Sequence, residues 1–415
     1  MNHFLYPSSD STIYSLKTIQ LLNFGKSEIL ELKSGFSTQH GLDSSRILIK
    51  FDIPFNKQNY TDFSDLKFVL SLKITNAPEV TDSTRIDIYP VTDEWSEGIG
   101  IGHDADPAYV PVNWLYKTKD TLWDDDEQSE VVGGGNYYTH IKRCNTPTSE
   151  FDCKYIMEQK TSDVKVDVTD VVKCWILDDI PNNGFLLKLS DDMSPELDTS
   201  VKFYSKDTNT IYSPVLIVSY DDFAFGDTTL CEGETSLSGT LSGTLSGTIE
   251  TQVDEIIEDD AQEDFNFEKV VQGSCEQIVD KISDDTSKIC LTKVEGDVHV
   301  AIRKIKKIYR PIERVRFDVS VRLKTPVKSF SKKAKYDGNN YVDYDMFYSI
   351  RDAETHETVI EFNKYSKISC DATGHFFNFD FTVCQPGRYY KIFILVNGPY
   401  GDEVFEESRI FNVEV

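Results

Sequence analysis

Apolar and polar side chains alternate with a period of two over much of this chain, the pattern of strands with one face buried and the other wet. From Leu66 to Ile74 the apolar positions are 66, 68, 70, 72 and 74, with Lys67, Val69, Ser71 and Lys73 between them. The run from Arg46 to Ile53 alternates likewise, with Ile47, Ile49, Phe51 and Ile53 on one face. Val315 to Leu323 and Phe377 to Val383 alternate without a break. Residues 388–396 are apolar on both faces, which suits a central strand, and residues 410–415 read as a closing strand. One helix is predicted from Thr169 to Leu177. There Val171, Val172, Trp175 and Ile176 share a face, and Thr169 is placed to cap the free amide groups. Asn182, Asn183 and Gly184 supply a turn before a strand from Phe185 to Leu189.

Between these β regions the character changes. Residues 236–248 repeat Leu-Ser-Gly-Thr in tandem, and an acidic run continues to Asp264. Such a stretch buries little apolar surface per residue and reads as an extended linker. Its repeated Leu237, Leu241 and Leu245 are an alternative docking motif for a neighbouring subunit. The predicted architecture is all-β. A jelly-roll-type sandwich at 1–225 is joined by a low-complexity acidic linker at 226–264 to an immunoglobulin-like sandwich at 265–415.

Composition narrows the function. The formal net charge of the 415 residues is −27, which argues against a broad basic face for nucleic acid or for an anionic membrane. No apolar run reaches the ~18 residues of a spanning helix, and the N-terminus lacks a signal-peptide pattern. The expectation is therefore a protein kept in a cytoplasm until the cell opens. Charge is also segregated. From Asp207 to Glu268 there are fifteen carboxylates and no Lys or Arg, whereas Arg303 to Lys335 holds thirteen basic residues against Glu313 and Asp318. These are either two solvated faces or the two halves of an assembly contact, with Arg303, Lys304, Lys306, Lys307 and Arg310 on the basic side.

Eight cysteines without a Cys-x-x-Cys pair read as buried free thiols, although Cys144 with Cys153, or Cys275 with Cys290, are near enough in sequence to pair. No nucleophile motif of the Gly-x-Ser-x-Gly kind is present, and the glycines at 98–102 and 133–135 lack the phosphate-loop pattern, so they read as tight turns. No cofactor is expected. Asp124, Asp125, Asp126 and Glu127 are the one candidate calcium site, through hard oxygen ligands. Trp114 and Trp123 are candidate glycan-stacking residues, set against a core or loop-anchoring role.

Two resemblances sharpen this reading. Short pieces in order along the first 220 residues resemble the DNRLRE family of carbohydrate-binding-module-like sandwiches. They are residues 46–52, 89–98, Asn113 with Trp114, Trp123, 133–135, 166–172, 183–188, 203–206 and 212–218. In the C-terminal part, residues 348–353, 367–371 and 385–391 resemble the final domain of virion structural proteins of large myoviruses, including marine cyanophages. Together they imply a non-enzymatic component of a tailed bacteriophage particle, at neck, collar, tail or baseplate, assembled in the host cytoplasm. Its partners would be other virion proteins or symmetric copies of itself on a ring. The alternative is a host-recognition module that binds surface glycans through the first domain, and a polysaccharide-degrading enzyme ranks last.

Overall fold

The alternation becomes two pairs of facing sheets. The structure is a computed structural model that describes residues 1–55, 65–77, 84–102, 111–123, 133–141, 149–151, 153–157, 163–190, 192, 198–226, 291–325 and 340–414. In the strand Lys67–Leu72 the side chains of Phe68, Leu70 and Leu72 are fully buried, while Lys67, Val69 and Ser71 are half-buried. This strand sits in a four-stranded antiparallel sheet in the order Asn2–Leu5, Val215–Ser219, Lys67–Leu72, Val164–Asp167. The alternation read from the sequence runs to Ile74, but the strand stops at Leu72. The chain turns a corner at Lys73, and Ile74–Asn76 pairs with Thr199–Tyr204 in a second sheet.

That second sheet has eight strands, in the order Lys154–Ile156, Arg85–Pro90, Phe185–Leu189, Ser45–Phe51, Ile29–Ser34, Thr199–Tyr204 and Ile74–Asn76, with Pro7–Tyr14 also pairing Ser45–Phe51. Leu30, Leu32, Ile47, Ile49, Leu187, Val201 and Phe203 from it meet Phe68, Leu70, Val166, Leu216 and Val218 of the small sheet in one core. Each such side chain contributes about 1.5–3 kcal/mol of hydrophobic stabilisation. Ser45–Phe51 is buried on both faces: Ile47, Ile49 and Phe51 face this core, and Leu48 faces a second cluster under the loops.

The helix forms at Thr169–Ile176, with Val171, Val172, Cys174, Trp175 and Ile176 buried. Its cap differs from expectation. Val168 is the N-cap and offers no side-chain bond, and Thr169 is already helical. The Thr169 hydroxyl instead accepts from the Phe68 amide at 2.9 Å, tying the helix to the small sheet. At the following turn Gly184 adopts φ +88°, and a Cβ there would lie 2.5 Å from the Ile49 carbonyl oxygen.

The C-terminal half repeats the principle. One sheet orders Val298–Ile302, Arg314–Leu323, Gly374–Asp380 and Ser369–Asp371. The other orders Ile308–Tyr309, Phe411–Val413, Tyr389–Gly398, Asp345–Asp352 and Thr358–Ile360, with Gly401–Glu406 also on Tyr389–Gly398. Tyr389–Gly398 is central, as its two apolar faces require, with Tyr390, Ile392, Ile394 and Val396 in the core. Stacked or edge-on rings of Tyr309, Phe317, Tyr348, Phe377, Phe381 and Phe411 fill the space between the sheets. The chain is thus mostly β with one short α-helix, and among the described residues no helix is long and apolar enough to cross a membrane. Cys153, Cys174, Cys370 and Cys384 are buried. Cys144, Cys275 and Cys290, and with them both candidate pairings, lie outside the described residues, as do residues 227–290.

Candidate functional site

Several of the residues singled out in the sequence, among them Arg46, Trp95, Trp114, Trp123 and Gly134, meet beneath the loops on the outer face of the eight-stranded sheet. Trp95, Trp114 and Trp123 pack there with Ile13, Leu48, Val91, Val112 and Leu186. The Trp123 indole NH donates to the Asn113 carbonyl at 2.8 Å, and that of Trp95 donates to the Asn183 carbonyl at 2.8 Å. Arg46 lies in the middle. Its Nε meets Asp192 Oδ2 at 2.6 Å, its Nη1 donates to the Gly134 carbonyl at 2.7 Å, and its guanidinium sits 5.2 Å from the Trp114 ring centroid. Lys188 reaches the other Asp192 oxygen at 2.8 Å. Gly134, at φ +86°, passes so close that a Cβ would stand 2.8 Å from Arg46 Nη1. The glycines at 133–135 therefore serve close backbone approach.

This geometry corrects one expectation. Trp114 is 4 % exposed and Trp123 is 0 % exposed, so neither offers a ring face for stacking on a sugar. Their indoles anchor loops, the role set against the glycan role above. The calcium candidates Asp124, Asp125, Asp126 and Glu127 lie outside the described residues, as do Leu237, Leu241 and Leu245.

A cluster that sequence reasoning missed joins Asp10, Glu97 and Asp207, whose carboxylate oxygens lie within 4.8 Å of one another. Lys26 reaches Glu97 and Asp207 at 3.2 and 3.3 Å, and Lys206 reaches them at 3.1 and 3.2 Å. Two ammonium groups thus compensate Glu97 and Asp207, and the arrangement is an ion network. Burial pushes the Asp10 carboxyl up to about 7, against the Lys206 amide that donates to it and with Glu97 adding to the rise. The three carboxylates come from three separate strands and loops, so no local spacing announces them.

The two halves of the chain meet along the outer face of the small sheet. The Met1 ammonium, itself buried, pairs with Asp222 at 2.8 Å and donates to the Tyr365 carbonyl at 2.7 Å. Lys73, at the corner between sheets, bridges Asp163 at 2.7 Å and Glu357 of the other half. His3 pairs with Asp380 at 3.2 Å, and Lys165 with Glu361 at 3.2 Å. The Gly226 amide donates to Cys370 O at 2.8 Å, and the Cys370 amide to Ala224 O at 3.0 Å. A cavity of about 110 Å³ remains in the junction, lined by Tyr6, Lys73, Tyr212, Asp352, Arg388 and Tyr390 among others.

Of the basic residues singled out from the sequence, Arg303, Lys304, Lys306, Lys307 and Arg310 are all exposed and lie between the strands Val298–Ile302 and Arg314–Leu323. Lys306 reaches Glu313 at 3.7 Å, whereas Lys304, Lys307 and Arg310 have no carboxylate partner among the described residues. Lys304 holds φ +55°, a left-handed conformation unusual for a residue with a Cβ. Further along, Arg316 and Lys324 are neutralised locally, by Asp318 with Asp371 and by Asp297 with Glu403. Lys328, Lys332, Lys333 and Lys335 of the basic stretch lie outside the described residues. Compared with known protein families and with curated proteins, the chain matches none.

Proposed function

We propose that this protein is a non-enzymatic structural component of a tailed bacteriophage virion, acting through protein–protein assembly. In finer detail, the first half would be a jelly-roll-type sandwich and the second an immunoglobulin-like one. The parallel pairing of Ile308–Tyr309 with Phe411–Val413 in an otherwise antiparallel sheet supports the second assignment. The observation that carries the functional reading is the use made of the first half's conspicuous residues. Arg46, the buried tryptophans and the triple glycine are spent on locking loops to a sheet, and the two halves are tied by ion pairs and backbone bonds across their junction. Such a body suits a rigid adaptor held among neighbours. Its exposed Lys304, Lys307 and Arg310, which have no carboxylate partner among the described residues, suit contacts with acidic surfaces. Its partners would be other virion proteins or copies of itself in a ring, with no direct contact to nucleic acid or membrane.

The test is the mass of the purified full-length protein by light scattering across concentration and salt, followed by electron microscopy of the same sample. Closed rings or discrete oligomers are the expected result. A monomer under every condition that binds host polysaccharide on a glycan array would reject assembly and restore the adhesin reading.

A further inference from the structure

We propose that copies of this chain join head to tail, the hairpin at residues 35–42 of one copy entering the groove between the two halves of the next. The proposal rests on the assembly reading and names the surfaces that assembly would use. The groove, of about 510 Å³, has walls from both halves, with Tyr6 and Ile211 on one side and Pro311, Ile312 and Pro386 on the other. Ile312 is 86 % exposed, and Tyr6 is exposed too. Among the described residues no carboxylate lines the groove. Arg310 opens the turn that carries Pro311 and Ile312, closed by the Glu313 amide donating to the Arg310 carbonyl at 3.0 Å, and so stands at the rim. An apolar trough with a basic rim suits an apolar side chain carried next to a carboxylate.

The first half carries such a group at its other end. Phe36–Ser37 pairs with Gly41–Leu42 in a hairpin, with Gly41 at φ +80°. Its base is fastened by the Asp43 amide, which donates to the Gly35 carbonyl at 2.9 Å. Its tip is fastened by the Gln39 and His40 amides, which donate to Ser37 Oγ at 3.4 and 3.3 Å. On this fixed hairpin Phe36 is 64 % exposed. Beside it the exposed Asp198 accepts the Phe36 amide at 3.4 Å and has no cation partner among the described residues. An open phenyl ring with one adjoining carboxylate matches the groove in polarity and Arg310 in charge.

The two surfaces cannot meet within one molecule. Tyr6 directly precedes the strand Pro7–Tyr14, whose far end pairs with Ser45 beside the base of the hairpin. Those eight residues of extended strand set groove and hairpin roughly 23 Å apart. The contact is therefore between copies. Because knob and groove are different patches it is heterologous, and repetition generates a ring where the rotation closes. A hairpin in a groove is a small interface, so one contact alone is weak, and ring closure, in which every copy makes two, supplies the stability. With a net charge of −27 the copies repel each other, which favours an approach that sets a carboxylate against Arg310.

The experiment uses the full-length protein, its mass measured by light scattering over a concentration series. Phe36→Glu removes the knob and Ile312→Glu spoils the groove; both side chains are exposed, and circular dichroism on heating checks that the fold is kept. The wild type should form oligomers, and each variant alone should be a monomer. An equimolar mixture of the two should give a one-to-one dimer and nothing larger, because it restores a single contact per pair. Asp198→Arg and Arg310→Asp should each weaken the oligomer several-fold, and the two changes in one chain should recover it. Oligomers that survive both glutamate variants would overturn this contact and leave assembly through another surface standing. A wild type that stays monomeric at every concentration would overturn this contact and the ring of copies together. A mixture of the two variants that stays monomeric, or a dimer from either variant alone, refutes head-to-tail docking.

Discussion

Replacing Asp192 with Ala should destabilise the first half of the chain severely, because Arg46 and Lys188 share this one carboxylate in a buried layer. The Asp192 side chain is 1 % exposed, that of Arg46 is 6 % and that of Lys188 is 12 %. Truncating one partner of such a pair leaves the other charge buried without compensation, which costs about 3–5 kcal/mol. Arg46 would keep the Gly134 carbonyl and the rings of Trp114 and Tyr137. For a body of this size each kcal/mol lowers Tm by about 2–4 °C, so a fall of roughly 6–20 °C is expected. All four tryptophans (95, 114, 123 and 175) lie in the first half, so tryptophan emission during thermal or urea unfolding reports on that half alone. The double change Arg46→Met with Asp192→Ala removes the stranded guanidinium and should recover part of the loss. If Asp192→Ala alone costs less than about 1 kcal/mol by tryptophan emission, the pair behaves like an exposed one and is not the keystone of the loop layer.

Other expectations follow from the same geometry. Gly134→Ala forces a side chain into a left-handed backbone against Arg46 and Trp114, and should cost about 2 kcal/mol or more in the tryptophan-monitored transition. Asp10 is held up to about 7, so its protonated form favours folding; that contribution is full below the ordinary carboxylate range and is lost as pH rises through 7. Asp10→Asn should therefore gain on the wild type as pH rises from 5 to 8. The gain should grow by at most about 1.4 kcal/mol for each tenfold fall in proton concentration, measured by urea titration at each pH. His375 has the opposite sign. Burial lowers it to about 4 while its Nε2 accepts the Val342 amide at 3.0 Å, so its contribution is present above 6.5 and is lost as pH falls through 4. Acidification should weaken the second half, read by tyrosine near-UV dichroism, and His375→Gln should flatten that dependence. Lys73→Met should cost only about 1 kcal/mol, as befits a partly exposed pair, and should leave the halves unfolding together in calorimetry, because the first strand still joins them.

The strands were legible because a half-buried strand must alternate, and Phe68, Leu70, Leu72, Phe317, Val319 and Phe377 fall where that rule puts them. Where the rule fell short, a tertiary cause is visible. The alternation through Ile74 spans a corner between two sheets, which periodicity cannot detect because both faces keep their parity across the turn. Thr169 has the composition of a cap, yet a neighbouring strand offers its hydroxyl a better-placed amide. Leu48 did break the polar face of its strand, a signal that this face is also covered. The loop tryptophans carried no such signal, since a Trp that anchors a loop and a Trp that stacks on a ligand look alike in sequence. The Asp10, Glu97 and Asp207 network was out of reach for another reason: its members are brought together only by the topology.

The first strand shows why the two halves should be treated as one mechanical body. Asn2–Leu5 is an edge strand of the first half, paired along its length with Val215–Ser219. Phe4 within it packs against the core of the second half, and His3 and Met1 bind Asp380 and Tyr365 there. Separating the halves therefore requires more than breaking surface ion pairs. It exposes an aromatic side chain and strips partners from a buried ammonium, whose pKa is already lowered by burial against the pull of Asp222. Exposed ion pairs alone, each worth at most about 1 kcal/mol, would leave the halves free to swing. A strand shared between one half's sheet and the other half's core instead fixes their angle, which is the property an adaptor needs if its two ends are to meet different neighbours at a set distance.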